Sequence, residues 1–297
     1  MFAEHKETVN KRRLALCRES GTAAGMLEVG IRTLGHADLS RQELYYAGFF
    51  NVTIAMERVC KLILDSQKFY TEGEFLEGRK LSKLGHSLKD LYTRVQEVED
   101  SFQDGSTLGE VEISANELKD ILNFLTDFAK KDRYYNLESL TKDSGADPIK
   151  RWKRIILSHH PMPKLTEEQR EEMRKADMYG ERGTVYVDML FSDANGDNIE
   201  RPSEYLQAKW EDRHVQIEGA LVLYSISRYL SKVLGYFSGA YPIQVLAAEK
   251  KLDKQLAGQA LTMEKMKIRK NSLQLPYYSE FLCFFEHDNS WLKNELM

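Results

Sequence analysis

Six prolines and three cysteines are all that the 297 residues contain of either. The cysteines, Cys17, Cys60 and Cys283, are odd in number and far apart, which suits reduced thiols better than a disulfide framework. None has a neighbouring histidine or a CxxC partner, so none reads as a metal ligand or an activated nucleophile. Long apolar runs are missing too. Stretches such as Ala220 to Tyr224 and Phe281 to Phe285 fall far short of the roughly 20 residues that a membrane-spanning helix needs. The start, Met1-Phe2-Ala3-Glu4-His5-Lys6, has no basic stretch leading into an apolar one, so no secretory signal is read and a cytoplasmic protein is expected. Charge of one sign is also lacking. Lys and Arg number 42 against 46 Asp and Glu, a net −4, which argues against a surface that grips nucleic acid all over and leaves room for a local basic patch.

What the chain does have is aromatic residues, 13 Phe, 15 Tyr and 3 Trp spread along its length, enough apolar area to exclude a disordered chain. Helical periodicity dominates. From Leu39 to Leu64, Tyr45, Gly48, Val52, Ala55, Met56, Val59, Leu62 and Ile63 recur at steps of three and four, and Phe49, Phe50 and Ile54 add apolar character on the other side. A helix apolar almost all round belongs at the centre of a bundle. A second helix follows Ser87, with Leu88, Leu91, Tyr92, Val95 and Val98 on one stripe. A third opens at the capping box Ser114-Ala115-Asn116-Glu117 and carries Leu118, Ile121, Leu122, Leu125 and Phe128. The fourth starts at Asp147-Pro148 and must stop near His160, because Pro161 disfavours helical geometry before it.

A short charged helix is expected after Thr166-x-x-Gln169, then a small β-hairpin or ordered loop over 183–200, where Val185, Val187 and Met189 alternate and Asn195-Gly196 is a hairpin turn signal. Helical spacing returns after Pro202 and runs to Phe237, with further candidates from Ile243 to about Lys267 and from Tyr277 to Phe285. The fold class is thus mainly α, a multi-helix bundle. We expect residues 1–162 as one helical bundle and 163–297 as a helical extension with the hairpin and the long helix.

Three stretches carry a family likeness: Tyr46 to Leu64, Leu84-Gly85-His86-Ser87-Leu88-Lys89-Asp90-Leu91, and Arg133-Tyr134-Tyr135-Asn136-Leu137. Together they resemble a HEPN domain over about residues 39–160. The resemblance implies a four- or five-helix bundle of the kind found in bacterial defence, toxin and nucleotide-binding proteins, often a homodimer. It also implies a component of a prokaryotic defence or toxin–antitoxin system that binds RNA or a nucleotide and can act as a metal-independent ribonuclease. The alternative is a helical module that binds a protein partner or a second copy without catalysis.

Catalytic HEPN domains resemble ribonucleases with an Arg, four to six residues, then a His. The chemistry is intelligible in itself. An imidazole can move the proton of an RNA 2'-hydroxyl while a permanently charged guanidinium stabilises the phosphorane-like charge. Arg79 with His86, and Arg154 with His159 or His160, have this spacing. With 18 Arg and 7 His, about one such pair arises by chance, so spacing alone selects none. On a straight helix Arg154 and His159 point about 140° apart, and Pro161 stands where the family often has Tyr. Arg154, His159 and His160 are the catalytic candidates. Glu57, Lys61, Arg79, His86, Arg133, Tyr134 and Asn136 are candidates for holding RNA or a nucleotide, through ion pairs, a helix N-terminus and a basic, aromatic helix end.

Asp193-x-Asn195-x-Asp197 with Glu204 imitates a calcium loop, but Asn198 replaces its glycine and Pro202 intrudes. Phosphate-binding P-loop, GxGxxG, GxSxG and HExxH patterns are all missing. No metal and no cofactor is expected.

Overall fold

The structure is a computed structural model that describes residues 2–99, 113–141, 146–182, 199–237, 275, 276, 278, 281 and 289–296. The protein is mainly α-helical and of the multi-helix bundle type, and every regular element among the described residues is helical. The hairpin expected over 183–200 lies outside them except for residues 199 and 200, which have no regular structure, and the helix expected from Ile243 to Lys267 lies outside them, as does most of 277–285.

A helix of 34 residues, α1 (Phe2–Gly35), precedes the first one expected from periodicity. Its buried positions, Leu16, Ser20, Ala23, Leu27, Ile31 and Leu34, do step by three and four. The stripe is hard to see because small residues fill much of it and glycines, poor helix formers, interrupt it. Helix α2 (Glu43–Glu72) runs two turns beyond the expected end. Then come short α3 (Gly78–Lys83), α4 (Leu88–Glu99) and α5 (Ala115–Lys130). A 3-10 turn at Asp132–Tyr134 leads into the single turn α6 (Tyr135–Glu138). Helices α7 (Pro148–His159), α8 (Glu167–Arg182), α9 (Pro202–Tyr236) and α10 (Ser290–Leu296) complete the order.

Local chemistry sets several starts. Ser114 Oγ accepts the Glu117 N–H at 3.2 Å, and Asp147 Oδ1 accepts the Ile149 N–H at 2.7 Å. Thr166 and Gln169 form a reciprocal box, each backbone N–H donating to the other's side chain at 2.9 and 3.2 Å. Glu204, the last position of the calcium-like pattern, instead accepts the backbone N–H groups of Glu200 and Arg201 at the entry to α9.

The chain divides into two compact units, each made of three separated pieces. The first holds residues 1–28, 54–112 and 226–288, the second 29–53, 113–225 and 289–297, so each draws on both sides of the boundary expected at 162. In the first unit the α4 stripe Leu88, Leu91, Tyr92, Val95 and Val98 is buried, as are Val59, Ile63, Leu230 and Val233; Tyr92 meets Tyr229 at 5.6 Å between ring centroids. In the second unit Phe49 is the hub of an aromatic core, 4.9 Å from Phe124, 5.2 Å from Phe128 and 5.3 Å from Trp152. Phe50 on the opposite side of α2 is exposed, so this helix is not apolar all round. Two glycines allow close approach. A Cβ on Gly48 would fall 2.4 Å from Leu34 Cγ, and one on Gly219 would fall 2.8 Å from the Trp152 indole.

Candidate functional site

The catalytic candidates sit at the end of α7, and their surroundings are acidic. His159 Nε2 lies 3.0 Å from Asp120 Oδ2. His160 Nε2 lies 2.6 Å from Glu117 Oε1, and its Nδ1 lies 3.4 Å from Glu218 Oε2. The His160 carbonyl accepts from His214 Nε2 at 2.9 Å. Arg154 is exposed and has no hydrogen-bond or ion-pair partner among the described residues. The structure therefore brings His159 and His160 to three carboxylates from α5 and α9, and does not bring Arg154 to either ring. The three carboxylates beside the two rings repel a phosphate, and no guanidinium stands with them to offset that. Glu117 was legible only as a capping-box residue. Its backbone N–H meets Ser114, while its buried carboxylate holds His160.

A second polar group in the same unit is wholly interior. Lys153 pairs with Asp212, and Tyr45 donates its hydroxyl to the same carboxylate oxygen, Oδ1, at 3.2 Å. The Lys153 ammonium also lies 5.8 Å from the centroid of the Tyr45 ring. The other oxygen, Oδ2, is buried without a hydrogen-bond partner. Burial raises the Asp212 carboxyl above its usual value despite the opposing pull of Lys153, and burial with the Asp212 charge raises the Tyr45 phenol well above its own. The signal for this group was present. Lys153 occupies an apolar stripe position beside Ile149, Trp152 and Ile156, and a charged residue there needs a buried partner.

Among the binding candidates, Glu57, Lys61 and His86 come together in the first unit. Lys61 Nζ lies 2.8 Å from Glu57 Oε1, and His86 Nδ1 lies 2.9 and 3.0 Å from the two oxygens of Glu57. Burial by itself would raise the Glu57 carboxyl, but the hydrogen bonds from Lys61 and His86 outweigh it and hold it below its ordinary value. Burial, with Glu57 nearby, pushes the Cys60 thiol up to about 12, so this cysteine is an inert core residue. Arg79 stands exposed on α3 in a stretch where five cations outnumber two exposed carboxylates, Glu77 and Asp90. Between residues 76 and 94, Arg79, Lys80, Lys83, Lys89 and Arg94 are all exposed.

Arg133, Tyr134 and Asn136 belong to the second unit. The Arg133 guanidinium stacks 4.9 Å from the Tyr134 ring centroid, and Asn136 Oδ1 accepts from the Tyr46 hydroxyl at 3.1 Å. Arg151 steadies this turn by reaching Asp127 at 2.7 Å and Asp132 at 3.2 Å. Among the described residues no group of three His, Cys, Asp or Glu side chains is placed to hold a metal ion, and no helix is long and apolar enough to cross a membrane. No family model, curated protein or solved structure matches the chain.

Proposed function

We propose that the protein is a HEPN-like module of a defence or toxin–antitoxin type that binds RNA or a nucleotide through its first unit and does not cleave it. The observation that carries this reading is the run of exposed cations Arg79, Lys80, Lys83, Lys89 and Arg94 on α3 and α4 in a chain whose net charge is −4. Positive charge gathered on a short stretch of an acidic chain attracts a phosphate backbone. Binding without cleavage is supported by the α7 end, where neither imidazole meets Arg154 and the neighbouring carboxylates repel a phosphate.

The test is fluorescence anisotropy of a labelled single-stranded RNA across a salt series. Each phosphate contact contributes a slope of about −0.7 in log K against log salt, so three contacts predict about −2. Lys80→Glu with Lys83→Glu should flatten that slope by one or more, while Arg154→Ala and His159→Ala leave it alone. Binding that ignores salt, or RNA cleavage lost in His159→Ala, overturns the reading.

One observation favours a second reading, docking on a protein. Tyr134, Leu137 and Leu140 follow at steps of three and are exposed, Leu137 by 67% and Leu140 by 79%. An assembly seen by light scattering that Leu137→Lys/Leu140→Lys dissolves, together with no RNA binding, would replace the first proposal by this one.

A further inference from the structure

The first unit contains a cleft of about 320 Å³ lined by α2, α4 and the segment that joins them. Its floor is apolar: Leu64 from α2, Leu76 and Leu84 from the connection, and Val98 from α4. Its rim carries Lys68 and Glu72 on one wall, and Arg94 and Glu97 on the other. The size is at the low end of the roughly 300–1,000 Å³ range of small-molecule sites. Two cations, one of them Arg94 from the end of the basic stretch, and two carboxylates make the rim electrically neutral, so a polyanion gains little by entering. A wholly apolar ligand would strip water from the rim and from Gln67 in the lining and return no partner. Lys68 and Glu72 already satisfy each other. Arg94 and Glu97 are both exposed and stand one helical turn apart, where they offer a cation and an anion side by side.

We infer that this cleft binds a zwitterionic α-amino acid with an apolar side chain, or the same group at the end of a short peptide. The Arg94 guanidinium takes the carboxylate in a two-pronged hydrogen bond, Glu97 takes the ammonium, and the side chain lies on Leu64, Leu76 and Leu84. The inference does not rest on RNA binding, and salt separates the two: added salt weakens RNA binding steeply and barely moves the affinity of a ligand with no net charge.

The experiment is a thermal-shift titration of the full chain, confirmed by calorimetry, with L-leucine, L-phenylalanine, N-acetyl-L-leucine and L-leucinamide. Saturable stabilisation by leucine or phenylalanine at concentrations up to about 10 mM is expected, following the mass-action dependence of stability on ligand. The two capped analogues should each bind at least about tenfold more weakly, the loss expected when one charged hydrogen bond is removed. Arg94→Ala and Glu97→Gln, both at exposed positions, should weaken leucine binding by a similar factor. Leu84→Trp should abolish it by filling the cleft, with circular dichroism checking that the variant is folded. An equal response to N-acetyl-L-leucine would mean that only an anion is recognised and would overturn the assignment. So would leucine binding that survives both rim variants, or no response to any of the four compounds.

Discussion

Glu57 and Asp212 each face a lysine and one further polar group, yet their acidities move in opposite directions. Glu57, with a side chain 24% exposed, has both oxygens engaged, and its partners hold it ionised. Asp212, 1% exposed, has Lys153 and Tyr45 crowded on one oxygen while the other meets nothing, and its burial outweighs them. The number of partners is the same. What differs is access to water and how many lone pairs find a donor, and these decide whether a buried charge helps or harms the fold.

The most damaging way to probe this contrast is Lys153→Met, which leaves the Asp212 charge buried and unmatched. It should cost about 3–5 kcal/mol, read as a lower urea midpoint with an unchanged slope. Replacing both partners, Lys153→Met with Asp212→Leu, should recover most of that loss. A double variant as unstable as the single one would show that the charge is not what matters at this position.

A smaller effect belongs to Glu57→Gln, about 0.5–1 kcal/mol near neutral pH. Because the folded carboxyl is held below its ordinary 4.5, its contribution is complete above that value and disappears as pH falls through the lower folded one. The variant and the parent should therefore converge in acid. For Asp212 the sign is reversed: its folded carboxyl is raised above 3.8, so ionisation between the two values lowers stability as pH rises. Unfolding curves collected across that acidic range would separate the two carboxylates, and a Glu57→Gln deficit that persists there would undo the contrast. Least of all should happen with Arg154→Ala. An exposed side chain without a partner among the described residues should change stability by less than about 0.5 kcal/mol, and a larger loss would mean that Arg154 makes a contact of its own.

Much of the fold was legible because its signals are local. Ser114, Asp147-Pro148 and the Thr166–Gln169 box announce α5, α7 and α8, and the α4 stripe is buried as the spacing suggests. Helix α1 was not, since packing of small residues rather than a strong apolar stripe holds it. The polar groupings were hidden for a different reason. His86 finds Glu57 at a separation of 29 residues, His160 finds Glu117 at 43 and Tyr45 finds Asp212 at 167. No period in a sequence encodes such meetings. The nearest hints were charged residues on apolar stripes, Lys153 above all, which state that a partner exists without naming it.

The interleaved make-up of the two units bears on how the chain is born. The first unit draws on residues up to 28 and residues from 226 on, so its first piece emerges from the ribosome roughly 200 residues ahead of its last. At 5–20 residues per second, that gap amounts to about 10–40 s during which the first unit lacks its last piece. A nascent chain in that position is a natural client for chaperones, and slowing translation ahead of residue 226 should lower the yield of folded protein.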